Sequence, residues 1–270
     1  MVKVIGVDVG GTFVRAGIVE KGKVTNYIKE KIPSRKKKIL EKVTEVIKKL
    51  DSKTVKGIGV AVPGFTKNGI VYKTPNLDFD KINLKKILKE KFNKKVEVGN
   101  DAKCVALSEL KFGIKKKNFF VLILGTGVGG AAVLGGKIYF GKGYAGEVGH
   151  IIVDGNKDFE SLWKKDLGKM KKIFGRNFLM EEAIKRKDKK SKILFDKMYE
   201  DLAKGVGTVF SLFDPEKIIL MGGIRKAGKE FTNGIKKKVR KDALNPTIPE
   251  IKWSKVKHPG VLGAGLLVGG

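Results

Sequence analysis

The sequence predicts an α/β architecture with two lobes. Apolar strand-like segments alternate along the chain with segments whose apolar residues recur at helical spacing, a pattern typical of α/β proteins. Each half also begins with a buried strand, a turn rich in glycine and threonine, and another strand; the two turns lie at 8–12 and 124–130. This internal similarity indicates two α/β lobes whose turns face each other across a cleft.

The strands and helices are predicted in the following order. The first half has strands at 2–9, 12–19 and 23–32, a helix at 35–50, a strand at 57–62, a loop with a short strand at 66–80, a helix at 83–91, a short strand at 95–98 and a helix at 101–112. The second half has strands at 118–124 and 128–134, helices within 159–214, a strand at 217–221 and helices at 227–240 and 259–268. We assign 1–113 to the first lobe, joined by a C-terminal helix within 256–270, and 114–255 to the second lobe.

The composition is that of a cytoplasmic globular protein. Hydrophobic residues make up 41% of the 270 residues, and no run approaches the roughly 18 apolar residues of a membrane span. The N-terminus leads directly into the first strand without a cleavage region, so no signal peptide is expected. The single cysteine, Cys104, excludes an intrachain disulfide and a metal site built from several cysteines.

The chain is strongly basic, with a net charge of +30, which taken alone favours binding to a polyanion. The excess is mostly lysine scattered over predicted helices, with no arginine-rich arm and no aromatic residues interleaved in the basic clusters. Enrichment in lysine and glutamate is also typical of hyperthermophilic proteins. We therefore expect a solvated basic surface without a specific nucleic-acid site, and leave a weak attraction to polyanions open.

The turn after the first strand has the features of a phosphate-binding loop. Gly10 and Gly11 let the backbone approach an anionic oxygen, and their N–H groups can donate to it together with the Thr12 hydroxyl. Asp8, at the strand end, is placed to hold Mg²⁺ through water, because Mg²⁺ keeps several of its waters in proteins. A tight hairpin with a solvated aspartate is the alternative interpretation.

A second loop of the same kind consists of Gly125, Thr126 and Gly127. It can cap the β- and γ-phosphates of a nucleotide, although an ordinary glycine hairpin would have the same sequence. Neither loop has the closing Gly-Lys-Ser/Thr of a Walker A motif. Gly222 and Gly223, after a later apolar strand, would let a flat adenine lie against the backbone; an ordinary strand-to-helix turn fits that pattern equally well.

A candidate catalytic residue lies where a short strand ends, at Asn100-Asp101. Helix capping explains such a pair, with about 1 kcal/mol of stabilisation. The pair also lies at the C-terminal end of a strand, where α/β proteins place ligands. Asp101 can accept the proton of an attacking hydroxyl, as phosphoryl transfer requires. Glu147 and His150, flanked by glycines, can converge on neighbouring sugar hydroxyls, or can form only a polar turn.

Six motifs span nearly the whole chain. They are Asp8-x-Gly10-Gly11-Thr12, Pro63-Gly64, Thr74-Pro75-Asn76, Asn100-Asp101-Ala102, the glycine-rich segment 124–130, and Gly146-Glu147-Val148-Gly149-His150. Together, and in this order, they resemble the ROK family (repressor, open reading frame, kinase). The spacing from Thr12 to Arg15 is similar to the Gly-Gly-Thr-x-x-Arg of its glucokinases. The resemblance implies the two-lobed actin-like ATPase fold that sugar kinases share with Hsp70 and actin, with the active site and ATP in the interlobe cleft.

The resemblance also implies roles for individual residues. Asp101 is expected to be the catalytic base. The expected sugar-binding residues are Gly64, Asn76, Asn100, Glu147, His150 and Glu160. The two Gly/Thr loops correspond to phosphate loops, and Gly222-Gly223 to a turn on the adenosine side. By its own pattern, Glu160 is only a helix-start glutamate, which the helix dipole favours.

The sequence departs from the family at one place. ROK kinases usually carry a Cys-x-Cys-Gly-x-x-Gly-Cys motif after the Gly-His, where it binds zinc with that histidine. The segment 151–159 has no cysteine and is shorter, so no zinc is expected. Glu160 must then be positioned by the packing of Phe159, Leu162 and Trp163. The chain starts on its first strand, so we expect no N-terminal helix-turn-helix module of the kind found in ROK repressors.

The function expected from these features is phosphorylation of a hexose at its 6-hydroxyl with ATP and Mg²⁺. Glucose is favoured, with N-acetylhexosamine, mannose or fructose as alternatives. A non-catalytic sugar sensor or a polyanion-binding regulator is the alternative from a different class. We expect the partners to be a sugar, a nucleotide and a second copy of the chain in a homodimer, without a membrane.

Overall fold

A computed structural model describes residues 2–75, 77–186, 188–242 and 247–269. Asn76, one of the predicted sugar-binding residues, lies outside this described part. The described residues divide into two units. Unit 1 contains those within Met1–Lys115, Phe140–Tyr144 and Lys255–Gly270, and unit 2 contains those within Lys116–Tyr139 and Ala145–Ser254.

Unit 1 is built around a five-stranded sheet. Its elements up to residue 113 are β1 (Val4–Val9), β2 (Phe13–Glu20), β3 (Lys23–Lys31), α1 (Lys36–Leu50), β4 (Gly57–Val62), β5 (Phe65–Lys67), β6 (Ile70–Lys73), β7 (Ile82–Asn83), α2 (Leu84–Phe92), β8 (Lys95–Asn100), α3 (Asp101–Ser108) and a π-helical turn (Glu109–Gly113). The sheet has the order β3-β2-β1-β4-β8, and the small strands β5, β6 and β7 form a separate sheet. The predicted three-stranded meander is confirmed, since β2 pairs antiparallel with both β1 and β3.

Burial explains why these segments fold as they do. All six residues of β4 are buried, because the strand lies inside the sheet and pairs in parallel with β1 and β8. In α1 the buried apolar residues recur at helical spacing and form one face: Ile39, Val43, Val46, Ile47 and Leu50. The predicted helix at 101–112 is wrong in its last turn. The Ile114 N–H donates to the Glu109 carbonyl, five residues back, and so widens the helix into the π-helical turn.

Unit 2 has a sheet of the same pattern. Its elements are β9 (Phe119–Leu124), β10 (Val128–Leu134), β11 (Lys137–Ile138), a 3₁₀ turn (Val148–His150), β12 (Ile152–Asp154), β13 (Lys157–Asp158), α4 (Phe159–Phe174), α5 (Met180–Ala183), α6 (Lys189–Phe213), β14 (Lys217–Met221), a 3₁₀ turn (Arg225–Ala227), α7 (Gly228–Asp242) and β15 (Glu250–Trp253). The order is β11-β10-β9-β14-β15. In both units an antiparallel hairpin is followed by parallel strands, which confirms the predicted internal similarity.

Strand β15 was not predicted from the sequence. It is a four-residue edge strand that pairs in parallel with β14, and Ile251 is its one fully buried residue. Charged residues alternate with apolar ones over this short length, and Lys217 pairs with Glu250 at 2.8 Å. So short an alternation gives a weak local signal, and pairing with β14 decides the conformation.

The last helix, α8 (Pro259–Gly269), belongs to unit 1 and packs on β1, β4 and α3. Its small residues allow a very close approach. A Cβ on Gly263 would collide with the Cys104 carbonyl of α3, and a Cβ on Gly59 of β4 would collide with the Ala264 carbonyl. No helix in the described part of the chain combines the length and the apolar character needed to cross a membrane.

Candidate active site

The first Gly/Thr loop joins β1 to β2 in unit 1. Its backbone is closed by the Gly10 N–H, which donates to the Phe13 carbonyl at 3.0 Å. Gly11 and Thr12 are exposed to solvent. The loop therefore leaves the Gly11 backbone and the Thr12 hydroxyl accessible, whereas the Gly10 N–H, which was predicted to donate to an anion, is already bonded within the loop.

Asp8 lies at the end of β1 beside this loop, with its side chain 18% exposed. It faces Arg15 across the β1–β2 pair, and Arg15 Nη1 lies 3.2 Å from Asp8 Oδ2. Burial raises the pKa of Asp8, while the charge and the hydrogen bond of Arg15 act in the opposite direction. On its other side Asp8 is bordered by Gly260 of α8, where a Cβ would lie 2.8 Å from the carboxylate.

This carboxylate fits the magnesium role predicted for it. A single carboxylate leaves the other ligand positions to water and to phosphate oxygens, which is the arrangement that Mg²⁺ prefers. Within the described residues, no group of three or more His, Cys, Asp or Glu side chains is arranged to hold a metal ion.

Asn100 and Asp101 stand at the junction of β8 and α3. Asn100 caps the helix, because its side-chain oxygen accepts from the Lys103 N–H at 3.0 Å. Its amide nitrogen donates to the Gly64 carbonyl at 3.1 Å, so two predicted sugar-binding residues lie together. Asp101 is half-buried, and its Oδ1 accepts from the Ala102 N–H at 2.8 Å. The turn at Asn100-Asp101 therefore caps α3, and it also holds residues that were predicted to contact the sugar.

The negative charges of Asp101 and Asp8 both affect the buried Cys104 thiol in unit 1. Burial raises the pKa of the Cys104 thiol well above its usual value, and the negative charges of Asp101 and then of Asp8 raise it further. Both carboxylates thus act on the same buried thiol, one turn into α3. The predicted base and the predicted magnesium ligand both belong to unit 1.

The second Gly/Thr loop joins β9 to β10 in unit 2. The Gly125 N–H donates to the Gly127 carbonyl at 2.9 Å, and Thr126 is exposed. Two side chains of α4 contact this loop. Glu160 Oε2 accepts from the Val128 N–H at 2.9 Å, and Trp163 Nε1 donates to the Gly125 carbonyl at 3.0 Å. The contact of Trp163 with this loop was not predicted, since Trp163 was expected only to pack.

The remaining predicted sugar-binding residues of unit 2 lie around the start of β10. The 3₁₀ turn Val148–His150 follows Glu147 directly, with Glu147 half-buried and His150 exposed. Gly149 packs so closely on the Val128 carbonyl that a Cβ there would collide with it. Since Glu160 bonds the N–H of the same Val128, the turn and the glutamate meet at one residue of the sheet.

The glycine pair predicted on the adenosine side follows β14. Gly222 lies against the Leu124 carbonyl at the end of β9, where a Cβ would collide, whereas the space beside Gly223 is open. This places the turn next to the second Gly/Thr loop within unit 2. Arg15, in contrast, received no role from the residue pattern. The register of the β1–β2 hairpin could have identified it, because that register pairs Arg15 with Asp8.

Comparison with known proteins identifies relatives in the ROK family. A model of the ROK family matches residues 4–162 and 155–270. A glucokinase of Thermotoga maritima is 28% identical, with 98% of this chain and 97% of the relative covered. A ROK family glucokinase from Streptomyces griseus, solved with glucose and AMPPNP, has a TM-score of 0.84 at 23% identity, covering 98% of this chain and 99% of its own. A ROK hexokinase from Thermus thermophilus has a TM-score of 0.79 at 23% identity, covering 98% of this chain and 97% of its own.

These matches agree with the architecture described above. The two sheets of like order, each opening with a Gly/Thr hairpin, are those of the actin-like ATPase fold that the solved relatives share. The family match includes both Gly/Thr loops, Asn100-Asp101 and the turn at Val148–His150. Because it extends over nearly the whole chain, this protein belongs to the ROK family.

Proposed function

We propose that this protein is a sugar kinase that transfers the γ-phosphoryl group of ATP to the 6-hydroxyl of a hexose. The observation that carries the proposal is the arrangement in unit 1. Asp101 begins a helix at the end of β8, Asn100 and Gly64 are joined beside it, and Asp8 borders the exposed first loop. A general base, a polar turn for hydroxyl groups and an anion loop are the parts that phosphoryl transfer needs.

In the proposed reaction, Asp101 accepts the proton of the 6-hydroxyl as its oxygen attacks the γ-phosphorus. The new O–P bond forms while the bond to the leaving ADP oxygen breaks. The Gly11 N–H and the Thr12 hydroxyl donate to the phosphate oxygens, which stabilises the charge that spreads over them, while the Gly10 N–H closes the loop on the Phe13 carbonyl. Asp8 would hold Mg²⁺ through water, and the bound ion would neutralise phosphate charge.

The residues of unit 2 keep, in this proposal, the roles that the resemblance implies for them. Glu147 and His150 bind sugar hydroxyls, and the resemblance adds Glu160 to this set. The loop of Gly125, Thr126 and Gly127 receives the β- and γ-phosphates. Gly222 and Gly223 border the adenosine. The close contact between Gly222 and the Leu124 carbonyl supports the last assignment, because it places that turn at the base of the second loop.

Glucose is the favoured substrate, because similar proteins over nearly the full length are named glucokinases. N-acetylhexosamines, mannose and fructose are the alternatives within the same reaction. The net charge of +30 favours a second candidate, a sugar-sensing regulator that binds a polyanion. Asp101, beside a turn suited to hydroxyl groups, favours the kinase, because a sensor needs no base.

Sugar-dependent ADP release tests the proposal. The purified protein is assayed with ATP and Mg²⁺ over a panel of hexoses, and then with other nucleotides and with polyphosphate as donors. Turnover with a hexose, lost in Asp101→Asn, supports a kinase. Sugar binding without turnover would indicate a sensor, and DNA binding that weakens steeply with salt yet persists at physiological ionic strength would indicate a regulator.

A further inference from the structure

The first turn of α3 contains a buried lysine, Lys103, which lies two residues after Asp101 and is 6% exposed. Its Nζ donates to the Gly143 carbonyl at 2.6 Å and lies 5.6 Å from the centre of the Phe140 ring. Both partners belong to the segment Phe140–Tyr144, which is part of unit 1 although the chain on either side of it belongs to unit 2. Lys103 therefore attaches this segment to the start of α3.

The position is unfavourable for a lysine that serves only stability. Removing an ammonium group from water costs free energy unless the charge is compensated, and lysine is rarely so buried. The positive end of the helix dipole also disfavours a cation in the first turn, where Lys103 lies. A charged hydrogen bond to a carbonyl offsets part of this cost. The cost that remains indicates that the contact with Gly143 has a function beyond stability.

The contact completes a closed series of interactions around the predicted sugar-binding turn, which we call the contact cycle. The Lys103 N–H donates to Asn100 Oδ1 at 3.0 Å, and Asn100 Nδ2 donates to the Gly64 carbonyl at 3.1 Å. Phe65 follows Gly64, and its ring lies so close to Gly143 that a Cβ there would be 2.8 Å from it. The Gly143 carbonyl accepts from the Lys103 ammonium. The backbone and the side chain of one lysine thus join the two ends of the contact cycle.

A second contact joins the segment Phe140–Tyr144 to the same turn. The rings of Phe65 and Tyr144 meet edge to face, with 6.2 Å between their centroids and 63° between their planes. Phe140 and Tyr144 are each more than half exposed, so burial of these two side chains contributes little to holding the segment in place. The ammonium of Lys103 is therefore a buried anchor for an exposed segment.

We propose that Lys103 is a positioning residue for the sugar site, because its ammonium closes the contact cycle that fixes Gly64 and Asn100 beside the base. This inference rests on the proposed function, which takes Gly64 and Asn100 as sugar-binding residues. While the contact cycle is closed, these groups are ordered before the sugar arrives, and binding does not have to supply the free energy of ordering them. Once it is open, sugar binding has to order both the segment Phe140–Tyr144 and the turn at Gly64.

Four variants separate this role from a contribution to folding. Lys103→Met removes the ammonium and keeps an apolar stem, whereas Lys103→Arg keeps a charged donor. Gly143→Ala opens the contact cycle at another member, because its Cβ would displace the Phe65 ring. Lys86→Met, at a lysine of α2 whose side chain is 70% exposed, is the matched control in the same unit. Calorimetry gives separate dissociation constants for MgADP and for the hexose that wild type binds most tightly. Hydrogen exchange reports on 140–144, and the melting temperature monitors folding.

Lys103→Met should weaken hexose binding by about 10-fold, the scale of one charge-assisted hydrogen bond. It should also raise KM for the hexose by a larger factor than it lowers kcat, since the loss falls on binding. MgADP affinity should stay within about twofold of wild type, and exchange in 140–144 should rise. Gly143→Ala should change hexose affinity and exchange in the same direction. Lys103→Arg should recover most of the hexose affinity, and Lys86→Met should resemble wild type throughout.

Equal losses of hexose and MgADP affinity in Lys103→Met would overturn the proposal, as would unchanged exchange in 140–144. If Lys103→Met does not fold, Gly143→Ala decides the question with the same measurements. Hydrogen exchange of the free protein requires neither sugar nor turnover. A wild-type protein that binds no hexose would therefore contradict the proposed function, whereas unchanged exchange in a wild-type background that binds hexose would contradict only the role of Lys103.

Discussion

Asp8 and Arg15 face each other across the β1–β2 hairpin, with 3.2 Å between Asp8 Oδ2 and Arg15 Nη1. Burial favours the neutral form of Asp8, and the arginine favours the ionised form. Burial is the larger effect, so the pKa of Asp8 is raised, and Arg15 offsets part of that rise beside the first Gly/Thr loop. Because Mg²⁺ needs that ionised carboxylate, the hairpin register links Arg15 to the proposed metal role of Asp8.

Asp8→Ala should impair turnover and raise the Mg²⁺ concentration required for half-maximal rate. Sugar affinity should change little, because the proposed sugar contacts of unit 1 lie at Gly64 and Asn100. Initial rates titrated with Mg²⁺, together with calorimetric sugar binding, check this. Reduced sugar affinity with an unchanged Mg²⁺ dependence would show that the assignment of Asp8 is wrong.

Asp101→Asn should abolish phosphorylation and leave sugar binding largely intact. The amide oxygen can still accept from the Ala102 N–H, as Asp101 Oδ1 does at 2.8 Å, but the amide cannot take a proton from the sugar. Loss of a general base costs roughly 10²–10⁴-fold in rate. Steady-state kinetics and sugar calorimetry measure the two effects, and near wild-type turnover would exclude Asp101 as the base.

Asp166 of α4 should make stability depend on pH. Its side chain is buried with Asp201 of α6. Burial first, and then the charge of Asp201, raise its pKa from 3.8 to about 6, against the opposing charges of Lys165, Lys169 and Lys197. The folded protein therefore holds this proton more tightly than the unfolded chain does. The favourable contribution is present below about pH 4 and is lost as the pH rises through about 6.

Asp166→Asn, which stays neutral at every pH, should therefore be more stable than wild type at pH 8, by roughly 1–3 kcal/mol. The advantage should shrink as the pH falls through the range from about 6 to 4. Urea unfolding at several pH values measures the difference. Asp196→Asn, at a carboxylate 61% exposed on α6, is the control. A variant that is equally destabilised at all pH values would contradict the prediction.

The protein should fold and work without zinc. A structural zinc site needs four ligands, usually Cys and His. Cys104 is buried in unit 1 beside α8. In the segment where the family places its cysteines, Asp154 pairs with Lys204 at 3.2 Å and Asp158 caps α4 through Ser161. Metal analysis and melting before and after a zinc-selective chelator check this prediction. Stoichiometric zinc, or a large fall in melting temperature, would contradict it.

Much of the architecture follows from local patterns in the sequence. The period of the apolar residues identified α1, and glycine-rich turns marked where β1, β9 and β14 end, so the α/β class and the internal similarity could be predicted. The same patterns located Asn100-Asp101 after a strand. These features depend on backbone preferences and on side-chain period, which neighbouring residues determine.

Contacts between distant residues could not be predicted in this way. The edge strand β15 forms because β14 offers it a partner, and the last turn of α3 widens where Glu109 is buried. The packing of α8 on the first sheet depends on carbonyl groups that meet glycines far away in sequence. No local pattern encodes such pairings, since they exist only when a whole unit is assembled.

The same distinction applies to the candidate site. The sequence by itself determined which residues can bind phosphate, accept a proton or contact a hydroxyl. The tertiary structure decided that Asp8 faces Arg15 and that Asn100 bonds Gly64. It also directed Glu160 to the Val128 N–H. Residue type fixes the chemistry that a side chain can perform, but its partner is fixed by the packing that brings separate elements within hydrogen-bonding distance.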